Sequence, residues 1–489
     1  MNRFRILSIL FFLPVVLSCR ETIHPRVVKP EKPDIFPDYT GVTIPATIAP
    51  LNFKVKENYS AIDAVIKGCH REVIHIRNKQ SVSIPPEKWS KILLQNKGDS
   101  LCITVTLKQG ENWVRYAPFA IYISNDKIDC TLAYRLIAPG YEVYSKMGIY
   151  QRDLSSFKQA AIIKNTLLPG SCVNCHSFRQ SSPRDMSLHV RGKKGGTILL
   201  TDGRMNLLNT KTDSTMSNFV YPYWHPSGNY IAYSVNQTHQ VFHSSKEERV
   251  EVIDLASDIV VYDVRKNQAI GCDRLMKKQV FETFPAFSAD GKTLYFCAAE
   301  SRKMPDDYQN VCYNLCSISF DPGTGTFGNQ IDTLYHAVAK NKSVTFPRPS
   351  PDGKYIMFTL TDYGNFSIWH KEADLYLLDL HSGKVSPLNE VNSPDTESYH
   401  SWSSNSRWFV FSSRRIDGLY THPYLAHIDE NGSVSKPFLL PQKNPDFYRN
   451  LTESFNIPEF VKDKININIS LFEKKALRGE TKQVKFKKQ

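Results

Sequence analysis

The stretch FVYPYWHPSGNYIAYS (219–234) recurs in altered form as TFPAFSADGKTLYFC (283–297), VTFPRPSPDGKYIMFT (344–359) and SYHSWSSNSRWFVFSS (398–413). Measured between the turn residues Gly228, Gly291, Gly353 and Ser406, the spacings are 63, 62 and 53 residues. Each copy holds a Ser-x-Asp-Gly-like turn that opens a hairpin, then an alternating apolar strand that buries one face. A second strand follows each: DIVVYDV (258–264), NLCSISFD (314–321), DLYLLDL (374–380) and YLAHIDE (424–430). Multi-stranded units repeated at this period predict the blades of a β-propeller over 195–470, with insertions such as 237–251 lengthening some spacings. The competing fold is a large irregular β-sandwich. GTILLTD (196–202) and RMNLLNT (204–210) supply strands of an earlier blade, which makes five visible units.

Over 219–430 these copies resemble the blades of TolB-like propellers. The resemblance implies six blades, the sixth drawn from weakly patterned sequence at either end, such as PFLLP (437–441) with ININISLF (465–472).

Upstream, LNFKVKE, EVIHIRN, SVSIP, LCITVTL, WVRYAPFAIYI and CTLAYRLI alternate with turns and predict a mainly β, sandwich-like domain over 45–145. One short helix is expected at 87–96. Leu154, Phe157, Ala161 and Ile162 fall on one helical face, which predicts a helix over 152–165 leading into a distinct segment, 146–194. A chain of 489 residues, 41% hydrophobic and 12% aromatic, has ample material for several packed cores.

The N-terminus begins with Arg3 and Arg5, continues with ILSILFFLPVVL (6–17), and reaches Ser18 and Cys19. That charged, apolar and small-residue order is a secretory signal, and the apolar run is too short to span a bilayer. It resembles a bacterial lipoprotein signal over 1–18, with Cys19 as the acylated residue, although Val16 stands where such signals usually carry Leu. The resemblance implies a lipid-anchored protein of the cell envelope, at the outer membrane facing the periplasm; an uncleaved anchor and an ordinary secretory signal are the alternatives. Residues 19–44, rich in Pro and charge, are expected to form a linker. The formal charge is +13, and removing the signal leaves +11. A basic tail, 471–489, carries seven Lys or Arg against Glu473 and Glu480; it is expected to be a solvated terminus or a contact for anionic lipid or an acidic partner. Nucleic acid is not an expected partner of an exported chain.

The sharpest local motif is Cys172-Val-Asn-Cys175-His176. C-x-x-C-H is the attachment pattern of haem c, in which two thiols bond the vinyl groups and the His ligates the iron. The segment resembles a cytochrome c haem site, which implies one covalent haem c held by Cys172, Cys175 and His176, with Met186 or His189 as the sixth ligand. Met205 and His225 are more distant candidates for that place, and Arg179, Arg184 and Arg191 are candidate propionate partners. A disulfide or thiol redox pair and a metal site are the competing readings of the two cysteines. The remaining cysteines are Cys69, Cys102, Cys130, Cys272, Cys297, Cys312 and Cys316, an odd number of which Cys312 and Cys316 are a possible bridge.

His225, His239 and His243 form a second candidate constellation, for a metal or ligand at the propeller mouth. G-x-S-x-G, H-E-x-x-H and a phosphate-binding P-loop are absent. The whole-chain arrangement resembles bacterial envelope proteins labelled TolB-like or cytochrome c biogenesis proteins. It implies electron transfer or redox sensing, with the propeller docking a redox or envelope partner; the alternative is a haem-free scaffold that recognises a protein or glycan. Neither reading requires a hydrolase.

Overall fold

The computed structural model describes residues 23–138, 147–192, 195–246 and 248–489. The expected signal peptide and Cys19 lie outside these residues.

Six four-stranded antiparallel sheets surround one axis. Blade two runs from Ser171–Phe178 through Met186–Gly192 and Gly196–Thr201 to Arg204–Asn209. Blades three to six begin at the inner strands Phe219–Trp224, Val280–Phe287, Ser343–Pro349 and Glu397–Trp402. Blade one takes three strands from early in the chain, Thr131–Ile137, Gly148–Asp153 and Gln159–Lys164, and its inner strand, Ser454–Val461, from near the end. Thr131 pairs with Val461 and Leu136 with Phe455, so the two ends of the ring are stitched by a backbone ladder. The sixth blade is therefore this split sheet. PFLLP instead supplies the last strand of blade six, Phe438–Leu439, and ININISLF runs into the helix Ile469–Arg478.

The repeated turn has a local cause. In blade four the Ser288 hydroxyl meets Asp290 at 2.6 Å and accepts the Thr293 amide at 3.0 Å, while Gly291 holds φ at 73°. Blade five repeats this with Ser350, Asp352 and Gly353, and blade six with Ser403, Asn405 and Ser406. The short side chains satisfy the turn's own backbone, and the left-handed position favours glycine.

Three expectations change in the fold. The helix over 152–165 is absent, because those residues close a hairpin between two strands of blade one. Leu154 and Ile162 are buried there by sheet packing rather than on a helical face. The linker 19–44 is, from residue 23, part of the N-terminal module: Val27–Val28 pairs in parallel with Asn112–Arg115, and Tyr39 and Val42 are fully buried. The basic tail is not a free terminus. Thr481–Gln483 adds a parallel strand to the outer edge of blade two and Lys485–Lys488 one to blade three, with Val484 buried between them. Open sheet edges carry unpaired backbone groups, and the tail's alternation of apolar and lysine residues matches an edge strand.

The N-terminal module is one forked seven-stranded sheet covered by the helix Pro86–Gln95, which buries Trp89, Ile92 and Leu93. The strand Ser100–Gln109 pairs with Ala61–Lys67 on one side, and on the other with both Asn112–Arg115 and Phe119–Ser124. Its core is continuous with that of blades five and six. Asp129 accepts from both the amide and the hydroxyl of Ser404, each at 2.7 Å. Asp126 and Ser124 hold His427 at 2.7 and 3.0 Å.

Candidate ligand-binding site

Five of the six inner strands break register in the same way: a bulky residue in the left-handed region, Tyr221, Phe284, Phe346, Tyr399 or Ile457, at φ between 49° and 53°. Pro follows in four cases, and His400 in the fifth. A non-glycine residue at such angles costs on the order of 1 kcal/mol, and each bulge turns its side chain inward. The rings then meet one another around the axis. Tyr221 and Phe284 lie 4.4 Å apart between centroids, Phe284 and Phe346 4.1 Å, and Phe346 and Tyr399 4.8 Å. This aromatic collar narrows the channel.

Three residues further along each strand, Trp224, Phe287, Pro349, Trp402, Phe460 and Phe178 ring a cavity of about 280 Å³ at the finishing face, where the inner strands end. The residue just before each ring member looks into the cavity in five blades: Ser177, Tyr223, Arg348, Ser401 and Glu459. Arg348 stands over Tyr223 at 5.4 Å and Phe346 at 5.8 Å, and donates to the Pro347 carbonyl at 3.1 Å. Among the described residues no carboxylate lies within ion-pair distance of it. Glu459 accepts the Phe178 amide at 3.1 Å. Burial pushes the Glu459 carboxyl up to about 8 despite the attraction of Arg348. At neutral pH the cavity therefore presents an unmatched guanidinium, a protonated acid and an aromatic wall. That combination receives a carboxylate and a flat apolar body. The sequence carried a partial signal for these residues: Pro-x-aromatic stands at 222–224, 285–287 and 458–460, with Pro347-Arg-Pro349, His176-Ser-Phe178 and His400-Ser-Trp402 as variants of it.

The C-x-x-C-H motif lies on the inner strand of blade two, not at a helix. Counted back from Phe178, Cys175 takes the collar position that Tyr221 and Tyr399 take in their blades, and its thiol acts electrostatically on both. Cys172 Sγ lies 3.5 Å from Arg135 Nη2 and from Asn165 Nδ2. His176 is 2% exposed, and neither ring nitrogen has a hydrogen-bond partner. Burial holds its imidazole neutral, down to about 3. It pairs with Leu188, so Met186 lies on its face of the sheet. His189 alternates to the other face with Ser187, whose hydroxyl meets Tyr233 of blade three at 2.7 Å. The structure thus separates His176 from His189 and keeps Met186 on the same side, packed in the core between blades one and two with Ile149, Ile163 and Val461. A haem held by Cys172, Cys175 and His176 would have to displace part of that core. Met205 belongs to the same core. Arg179 is engaged by Asp185 and Arg184 pairs with Asp202 at 3.7 Å, which leaves exposed Arg191 at the opposite, starting face.

The three histidines do not meet. His225 Nε2 donates to the Gly291 carbonyl at 3.0 Å and Nδ1 accepts from the Ser227 hydroxyl at 2.7 Å, and the ring fills the blade-three counterpart of the turn serine. His239 lies far along the hairpin strand that starts at Tyr230, about 30 Å on at 3.3 Å per residue, and His243 lies just past the strand's end. Among the described residues no group of three or more His, Cys, Asp or Glu is arranged to hold a metal ion. All nine described cysteines are unbridged, Cys312 and Cys316 included.

At the starting face the long hairpin of blade three, Tyr230–Phe242 and Val250–Asp263, reaches blades four and five. Asp254 accepts from Asn236, from Asn365 at 2.5 Å and from Tyr313 at 3.4 Å. Glu251 accepts from Tyr363 at 2.7 Å and faces His370 at 3.4 Å, while Glu372 holds the other side of that ring at 3.3 Å. Sequence reasoning did not reach this clasp, since its members run from Asn236 to Glu372.

No protein-family model matches the chain, and no curated protein matches it. Solved structures are similar in part. A DUF4784 family protein from Bacteroides caccae shares 9% identity at a TM-score of 0.34, over 86% of this chain and 98% of that one. The tricorn protease gives 13% and 0.34 over 70% of this chain, and a prolyl endopeptidase 10% and 0.35 over 63%. The chain spans only 34% and 42% of those two proteins. Likeness at this level carries no inference about activity.

Proposed function

We propose that this protein is a ligand-binding propeller whose axial cavity receives a small organic carboxylate with a flat apolar body. The observation that carries the reading is Arg348: a guanidinium with no carboxylate within ion-pair distance among the described residues, facing a cavity of about 280 Å³ walled by Trp224, Phe287 and Trp402, with the neutral acid Glu459 as its neighbour. Charge-assisted bidentate contacts are the strong ones, and Arg presents the matching fork. Calorimetric titration with phenylacetate tests it. Arg348→Met is expected to weaken binding at least tenfold, and benzylamine is expected not to bind. Equal affinity in wild type and variant would remove the axial site from consideration.

A second reading, covalent haem c for electron transfer or redox sensing with the propeller docking a redox partner, is favoured by one observation: the two unpartnered nitrogens of buried, neutral His176. It requires blade two to part from blade one. A haem-staining gel on protein matured in an exporting host decides it, and loss of the stain in both Cys172→Ala and Cys175→Ala would make this reading primary. In either reading we place the protein at the cell envelope, tethered through Cys19. Cys19→Ser is then expected to move it from the membrane to the soluble fraction, and retention in the membrane would refute the tether.

A further inference from the structure

Away from the axis, between blades three and four, lies a second cavity of about 440 Å³, and the tail strand Lys485–Lys488 forms one of its walls through Phe486 and Lys488. Its polar groups are unmatched in a specific way. Asp258, at the wall, is half-buried and makes no hydrogen bond or ion pair among the described residues. Behind it Glu282 is 1% exposed and one of its carboxyl oxygens has no partner. Burial and the neighbouring Asp258 keep Glu282 protonated, so the single negative charge belongs to Asp258. Three solvent-exposed lysines, Lys277, Lys278 and Lys488, also line it, of which only Lys488 has an acidic partner within ion-pair distance, Asp273. Phe281, Val280, Met276 and Phe486 supply an apolar floor.

A bare anion would satisfy the lysines and leave Asp258 worse off, while an amine would do the reverse. A hydroxylated acid satisfies both: its hydroxyls donate to Asp258, its carboxylate meets the lysines, and its C–H face lies on the phenylalanines. The volume is within the range of small-molecule sites. We infer that this cavity is a second binding site, closed by the C-terminal strand, for a sugar acid of the uronic type.

The site is independent of Arg348, so the two readings separate experimentally. The probes are glucuronate, glucose and inorganic phosphate, titrated calorimetrically against the full chain, with folding of every variant checked by circular dichroism. Glucuronate is expected to bind wild type and Arg348→Met alike. Asp258→Asn and the double variant Lys277→Met, Lys278→Met are each expected to weaken it tenfold or more. Asp258→Asn keeps the shape and removes a half-buried charge, so it is expected to remain folded. Absence of glucuronate binding to folded wild type would overturn the proposal. So would binding lost only in Arg348→Met, which assigns it to the axial cavity, or phosphate binding as tightly as glucuronate, which reduces the site to a basic patch.

Discussion

Replacing Glu282 with Gln should stabilise this protein at neutral pH, and the size of the gain is set by the carboxyl's surroundings. Glu282 lies on the inner strand of blade four, 1% exposed, with one oxygen unpartnered. Burial pushes its carboxyl from an ordinary 4.5 up to about 9. An acid raised in the folded state loses stability as pH climbs above its unfolded value, because the unfolded chain releases a proton that the folded chain must keep. The penalty is absent below pH 4.5, grows to pH 9 and is constant beyond. Over the two and a half pH units from 4.5 to 7, at about 1.4 kcal/mol each, it reaches about 3 kcal/mol. Gln keeps the shape without the proton, though it leaves an amide in place of a carboxyl, so a net gain of about 2 kcal/mol is expected at pH 7. Urea unfolding of wild type and variant at pH 4.5, 6, 7 and 8 measures it. The variant should be less stable than wild type by about 1 kcal/mol at pH 4.5, through the amide alone, and the difference should change sign and grow in its favour as pH rises. A difference that stays constant with pH would mean that Glu282 is ionised in the folded protein, and the account of the wall behind Asp258 would fall with it.

The clasp of the blade-three hairpin should titrate at both ends. His370 is raised to about 9, so its ion pairs contribute fully below 6.5 and are lost as pH rises through 9; Glu372 is lowered to about 2, so its share is present above 4.5 and lost as pH falls through 2. Amide exchange in residues 236–257, corrected for intrinsic rate, should therefore be slowest between pH 4.5 and 6.5, and Glu251→Gln should abolish the alkaline acceleration; a flat profile counts against the clasp. His225→Ala should cost about 2–3 kcal/mol in urea unfolding, through a cavity and the unpaired Gly291 carbonyl, with no loss of bound metal. Val484→Asp should release the tail strands at a cost of about 2 kcal/mol, read as new proteolytic cleavage after Lys482 or Lys485.

The blades were legible because a Ser-x-Asp-Gly turn and an alternating strand are local: hydroxyl, carboxylate and glycine act within six residues, as at Ser288, Asp290 and Gly291. The axial site was half legible. Arg348 and Tyr223 stand in quoted repeats, yet nothing adjacent to them in the chain says that they face one cavity. The C-x-x-C-H pattern shows the opposite difficulty, for its spacing carries no record of whether the backbone is helical or extended, and here Cys172 and Cys175 belong to an inner strand with a bulge.

Local side-chain chemistry and period-two burial thus determined, from the sequence alone, that this chain builds repeated β-sheet blades. Tertiary structure alone decided how the ring closes, through Thr131–Ile137 and Ser454–Val461, where the tail attaches, and which side chains share the axis. Those pairings join residues hundreds of positions apart, and the stability they contribute comes from edges and faces that exist only once the neighbouring blades have formed.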